Sequence, residues 1–307
     1  METMTTRSLV ATDAVRRALR GRPLDLRGRL FEAALLGALL VSLALLVTLL
    51  MDIGLGGWEV LARRGWGFVT SPISLDPIRA GVGQAIVGSV LLMAFVALIA
   101  FPLGIGAAVY LEEYALDNAF TRLVDTNIRN LAGVPSIVYG LLGLSLFVSF
   151  AGRSVIAGGL TLAVLVLPIT IITAAEALRA VPAGIREAAF GVGATQWQAV
   201  RHHILPVAAP GILTGTILSL ARAFGEAAPL LVVGAVTGFF TTGDQGLLEQ
   251  LGGRYTALPM AVFNWARQPG EGFRALTSAA IIVLLAVLLT VNAAAILLRN
   301  RYEREVR

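Results

Sequence analysis

Arg222 and Glu226 stand four residues apart inside an apolar run from about 209 to 238. An arginine in the middle of a transmembrane helix costs about 2.5–3.5 kcal/mol on insertion scales, so it needs a partner or a wet cavity. At i, i+4 on a helix, Glu226 is placed to be that partner. Gly215, Ser219, Arg222 and Glu226 follow one another at intervals of four, three and four. That spacing predicts one small and polar face on a greasy helix, turned away from lipid. Two roles fit it. The pair fixes helix packing, or it is a cation lining an anion path with Glu226 holding the guanidinium in place. Arginine suits tetrahedral oxyanions because its planar fork offers paired donors. Spacing alone leaves both roles open.

A second constellation lies between hydrophobic segments. Residues 187–206 are polar and helix-prone, opening with Glu187-Ala188-Ala189, passing Gly193 and closing with Leu205-Pro206. Pro182 is suited to a first helical turn, where its missing N–H costs nothing. Ile185, Ala188 and Ala189 then share a face, with Glu187 on another. Gly191 and Gly193 are expected to break this helix. Thr195 and Gln198 have the spacing of a capping box for a second helix, along which Trp197, Val200 and Ile204 recur, and Pro206 is expected to end it. Two short helices with a glycine bend make a compact knob with one apolar stripe, and the small side chains of Ala188 and Ala189 allow close approach of a partner. The order of these residues resembles the cytoplasmic coupling loop of permease subunits in ATP-driven importers. His203 stands where that pattern has an isoleucine, with Ile204 one place later. The alternative for such a stretch is an amphipathic helix lying on the lipid surface.

Composition sets the background for both. The 307 residues are 57% hydrophobic and 14% charged, with mean hydropathy +0.81, too apolar for an ordinary soluble domain. The absence of cysteine excludes disulfides, thiolate metal sites and cysteine nucleophiles. His202 and His203 are adjacent, and neighbours on a helix do not share a face, which argues against a metal site. All 24 basic residues are arginine. Without lysine the chain cannot supply a standard phosphate-binding P-loop, so any ATP and Mg must be bound by another chain. Zinc-protease and serine-hydrolase motifs are also missing, which leaves a membrane-embedded enzyme with little support.

Six segments are long and apolar enough to cross a bilayer, at roughly 31–52, 84–110, 131–151, 154–178, 209–238 and 275–298. The expected fold class is therefore an all-α integral membrane protein with six transmembrane helices. Residues 1–30 form an Arg-rich tail, 31–299 the membrane domain with its polar loop at 179–208, and 300–307 a short C-terminal tail. The first segment reads as a retained anchor rather than a cleaved signal. With the N-terminus inside, 16 arginines fall on the inner side and 7 on the outer, so both termini and the 179–208 loop are expected to be cytoplasmic. Trp58, Trp66, Tyr255 and Trp265 fall in or near the outer loops 53–83 and 239–274 and are expected to anchor at the lipid interface. Glu112 and Glu113 are read as a solvated inner turn. Pro168 with Thr170 and Thr173 reads as a kink with local backbone repair. Ser136 and Tyr139 share a face at i, i+3 and are candidates for the same path as Arg222, with ordinary interhelical hydrogen bonding as the alternative.

Several stretches together are similar to the A-type permease subunit of the phosphate-specific importer. They are Pro102–Ala115, Gly133–Gly140, Arg222–Leu230, Thr256–Pro259 and Phe263–Ala266, within roughly 80–300. Ala227 stands where that branch commonly has threonine. The resemblance implies a type I importer permease fold with cytoplasmic coupling helices in an inner membrane, and transport of phosphate by alternating access. It places Arg222 and Glu226, with Ser219, Ser136 and Tyr139, along the substrate path. It assigns Glu187, Ala188, Ala189, Gly193, Leu205 and Pro206 to ATPase coupling. The implied partners are a second homologous permease, an ATPase dimer, an external phosphate-binding protein and membrane lipid, with no nucleic acid. An importer for phosphonate, sulfate or molybdate is the nearest alternative, and an ATP-independent channel or scaffold a more distant one.

Overall fold

The computed structural model describes residues 26–235 and 253–306, and every regular element among them is helical. The tail up to residue 25, the last residues of the expected fifth span, the first part of the loop that follows and Arg307 lie outside the described residues. Residues up to Asp52 form one unit and Ile53–Arg307 a second. Of the first unit, residues 26–52 are helical, and nearly all their side chains are exposed. This helix, α1 (Leu26–Arg64), is 39 residues long. It therefore runs well past the expected boundary at 52, and the Glu59–Arg63 pair at 2.7 Å supports its last turns. Gly65, with φ +46°, ends it, and α2 (Trp66–Thr70) follows.

The second unit continues with α3 (Gly83–Val109), which runs into a π turn at Tyr110–Tyr114. Then come α4 (Ala119–Ala132), α5 (Ser136–Ala151), α6 (Val155–Arg179) and α7 (Ala183–Gly191). Next is α8, helical from Gln196 to Phe224, and then α9 (Ala228–Val233), α10 (Leu258–Ala266) and α11 (Glu271–Val306). Five of these helices are long and apolar enough to cross a membrane, and six if the α4–α5 pair is one broken span.

Helix α6 is the axis of the bundle. A methyl group on Gly104 of α3 would stand 2.7 Å from Thr170 of α6, and one on Gly211 of α8 2.8 Å from Ala177. Phe95 of α3 fills the space over Gly159, Thr173 that over Gly215, and Thr161 that over Gly143 of α5. Small residues let helices approach closely in lipid, where no hydrophobic force drives them together. Thr170 and Thr173 return their hydroxyls to the carbonyls of Val166 and Ile169 on either side of Pro168, and the helix runs on through the proline.

Two further spans differ from their expected form, and proline is the reason in both. The third, expected at 131–151, is helical in one piece only from Ser136, and a 103° bend separates it from α4. Pro135 has no N–H for the carbonyl of Leu131, four residues back, and its ring would clash there. The fifth begins at Gln196, well before 209, and stops at Phe224 rather than running to 238. Pro229 imposes the stop, because continuing would drive its ring into the carbonyl of Gly225. The aromatic anchors also divide. Trp58 and Trp66 are exposed, but Trp265 and Tyr255 are buried. Trp265 packs on Phe68 at 6.3 Å between ring centres, and the Tyr255 ring lies over Gly158.

Candidate functional site: a charged helix end and a polar loop

The stop at Phe224 moves Arg222 from the middle of a span to its last helical turn, where a cation complements the helix dipole. Glu226 lies beyond the break, and its backbone N–H is held by the carbonyl of Ala223 at 3.2 Å. The two side chains meet, with Arg222 Nε 3.8 Å from Glu226 Oε1, but loosely. The arginine side chain is 55% exposed and the glutamate 19%. The polar face expected from spacing is therefore not uniform. Ser219 is buried and gives its hydroxyl to the Gly215 carbonyl at 2.9 Å, while Arg222 reaches out.

Around this helix end, α9 packs on α5. A methyl group on Gly140 would stand 2.8 Å from Pro229 Cα. Ser136 opens α5 and is partly buried. Tyr139 is buried, and its hydroxyl donates at 2.8 Å to the carbonyl of Leu131 that Pro135 leaves without its helical donor. The structure thus brings Arg222 to Glu226, while the hydroxyls of Ser219 and Tyr139 are engaged with backbone. A cavity of ≈ 400 Å³ between α3, α8 and α11, lined by Leu213, Thr216, Leu220, Asn292 and Arg299 among others, includes neither member of the pair.

The polar loop forms two helices joined at a glycine. Helix α7 ends in a Schellman motif, with Ala194 N–H on the Ala189 carbonyl at 3.0 Å and Gly193 N–H on that of Phe190 at 2.9 Å. The motif needs a left-handed residue, and Gly193 provides it at φ +84°. The capping box is present, Thr195 N–H to Gln198 Oε1 at 2.8 Å and Gln198 N–H to Thr195 Oγ1 at 3.3 Å. Ala189, Val200 and Ile204 are buried and Ile185 partly so, but Glu187, Ala188 and Trp197 are exposed. The expected apolar stripe is therefore split. Phe190, Val192 and Trp197 face outward with more than half their surface free. Pro206 does not end the second helix. A π turn at Val200–Ile204 sends the Leu205 N–H to Val200, and the helix continues through Leu205 and Pro206 as the rest of α8. The widened turn skips a rung of the ladder where Pro206 has no N–H to give.

The expectation of a merely solvated turn at Glu112 and Glu113 is overturned. Arg179 grips Glu112 with two bonds, at 2.8 and 2.5 Å. Arg186 Nη2 meets Glu113 Oε1 at 2.8 Å, with side chains only 25% and 8% exposed. The same guanidinium donates to the carbonyls of Leu178 at 2.8 Å and Val181 at 2.7 Å. These four charged residues were the signal missed in the sequence. Two acids close a span, and two arginines stand 67 and 73 residues later, at the end of α6 and in the first helix of the polar loop.

A bundle of apolar helices with a structured polar loop between two of them defines a multi-pass membrane protein. Residues 100–307 match the model of the binding-protein-dependent transport system inner membrane component, and the chain belongs to that family. It is 33% identical over 286 residues to the phosphate transport system permease protein PstA 1 of Mycobacterium tuberculosis strain H37Rv, covering 91% of this chain and 90% of that one. The PstA permease of Mycobacterium leprae is 32% identical over 252 residues, covering 81% of each. Among solved structures, a bacterial alginate ABC transporter aligns with a TM-score of 0.62 at 17% identity, over 88% of this chain and 93% of that one. The MetNI methionine transporter aligns at 0.56 and 18%, over 79% and 97%. The fold is that of type I ABC importer permeases.

Proposed function

We infer that this chain is the permease subunit of an ATP-driven importer that moves inorganic phosphate by alternating access. The observation that carries the substrate is the likeness to phosphate transport system permeases along nearly the whole chain. Arg222 is the anion-facing group in this reading. Its exposed guanidinium stands at a broken helix end, and Glu226 is close enough to orient it without saturating its donors. Ser219, Ser136 and Tyr139 form the wall behind the pair, their helices packed around the break.

ATP and Mg belong to a partner ATPase dimer, which docks on the loop at Glu187–Ala189, Gly193 and the exposed Phe190, Val192 and Trp197. Leu205 and Pro206 carry its motion along α8 into the membrane. A second homologous permease and an external phosphate-binding protein complete the assembly in the inner membrane, with both termini and the loop in the cytoplasm. A ligand shifts such an equilibrium only by its differential affinity for the two states, so loaded binding protein must favour the state that fires the ATPase.

The test is ATP hydrolysis by the reconstituted complex with its binding protein across phosphate, phosphonate, sulfate and molybdate. Stimulation by phosphate alone is expected. Stimulation by another anion would keep the importer and replace its substrate. An intact assembly indifferent to nucleotide would overturn the importer reading.

A further inference from the structure

The loop is continuous in chain with α6 and α8 only, so its motion reaches those two spans through the backbone. Helix α3 has no such connection. It is nonetheless tied to the loop by side-chain bonds, through one residue at its end. The carboxylate of Glu113 takes Arg186 from α7 at 2.8 Å. The Glu113 backbone carbonyl accepts from the side-chain amide of Gln196, the first residue of α8. Arg186 in turn closes on the carbonyls of Leu178 and Val181 at the end of α6. Four elements meet there, the end of α3, the end of α6, α7 and the start of α8. Arg179 and Glu112 add a second bond between α3 and α6 beside it.

We propose that Glu113 and Arg186 are positioning residues that carry the motion of the coupling loop into α3, so that three spans rather than two move with the ATPase. This rests on the coupling role given to the loop above. The physical requirement is a link stiff enough to transmit displacement. A half-exposed ion pair between long side chains does not meet it, because solvent and salt loosen such pairs. Glu113 does, since its carboxylate is shielded and its partner is fixed by two further hydrogen bonds to backbone. The short pair also holds a charge that the surroundings could not accommodate alone, so the two elements must travel together or the pair must break.

The experiment measures phosphate taken up per ATP hydrolysed, in proteoliposomes holding the complete transporter and its binding protein. Wild type is compared with Glu113→Gln, Arg186→Gln and the double variant. Glutamine keeps the size of glutamate, removes its charge and turns one acceptor oxygen into a donor. Each single change is expected to lower uptake per ATP about tenfold while hydrolysis persists, and the double variant no further, because contacting residues that act through one link are not additive. Singles at the wild-type ratio would overturn the proposal, and so would a double variant lowered about 100-fold, the product of independent effects. Should the glutamine variants fail to assemble, Glu113→Asp keeps the charge and shortens the reach. A lowered ratio supports the link and a wild-type ratio overturns it. Failure of the underlying reading looks different, because wild type itself would then show no nucleotide-dependent uptake.

Discussion

Two arginine–glutamate pairs in this molecule are built to opposite specifications. At the broken end of α8, Arg222 and Glu226 are 3.8 Å apart, and more than half of the arginine side chain is open. At the base of the loop, Arg186 and Glu113 are 2.8 Å apart with the carboxylate almost wholly covered. The first pair joins residues four apart and spends little of the guanidinium's capacity. The second joins residues 73 apart and uses that capacity on a carboxylate and two carbonyls. Residue type is the same in both places. What differs is how many donors remain for something outside the chain, and this separates a group that meets a ligand from a group that holds helices.

The comparison predicts its largest effect at Arg222. Arg222→Ala removes charge-assisted hydrogen bonds worth about 1.5–3 kcal/mol each, so uptake should fall about 100-fold or more. The melting temperature of the purified complex should hardly move, because the pair is loose. Arg222→Lys keeps the charge without the fork and should fall between. Radiolabelled phosphate uptake alongside thermal unfolding measures both. A large drop in stability with Arg222→Ala would mean that this pair, too, is structural.

Arg186→Ala inverts the pattern. It strands a covered carboxylate, which typically costs about 3 kcal/mol or more when one partner of a buried pair is removed. Thermal unfolding should therefore shift to clearly lower temperature, and uptake should suffer by a smaller factor than in Arg222→Ala. An unchanged unfolding temperature would show that water reaches Glu113 and would erase the contrast between the pairs.

Gly193 tests the loop itself. A methyl group there would meet nothing within 4 Å, so any effect is conformational and not steric. At φ +84° an L side chain costs about 1–2 kcal/mol. Gly193→Asp should therefore disturb the bend between the two loop helices and reduce uptake per ATP severalfold while the bundle stays folded. A wild-type ratio would mean that the bend does not transmit force.

How much of this was legible in the sequence depends on the range of each interaction. The Arg222–Glu226 spacing, the Thr195–Gln198 capping box and the turn at Gly193 are local patterns, and each is readable because its partners lie within a few residues. The spans are legible too, five of them and a sixth if the bent pair is one, since hydropathy sums over a window. That same summation hid the breaks at Pro135 and Pro229, because an apolar average does not register one missing N–H. The clamp at Glu112 and Glu113 was hidden for another reason. Its arginines are 67 and 73 residues away, and nothing in either stretch names the other. Trp265 and Tyr255 were misjudged likewise, because their burial depends on Phe68 and Gly158 from distant segments.

The smallest expected effect is at Tyr139, and it sharpens the boundary between the ligand-facing pair and the wall behind it. The Tyr139 hydroxyl donates to the Leu131 carbonyl across the bend. Removing it in Tyr139→Phe forfeits one hydrogen bond with a net worth of about 1 kcal/mol and leaves the ring in place. The carbonyl keeps a contact with the Val134 N–H at 3.0 Å, so it is not left without any donor. Uptake should stay within about twofold, since a 1.4 kcal/mol change is needed for a factor of ten and most of this cost falls equally on both transport states. The unfolding temperature should drop slightly. A tenfold loss of uptake at unchanged stability would reverse the assignment, for then the hydroxyl would be spent on the transported anion and the Leu131 contact would be a resting position. The loose pair at Arg222 would in that case be one of two ligand-facing groups rather than the one on which the path depends.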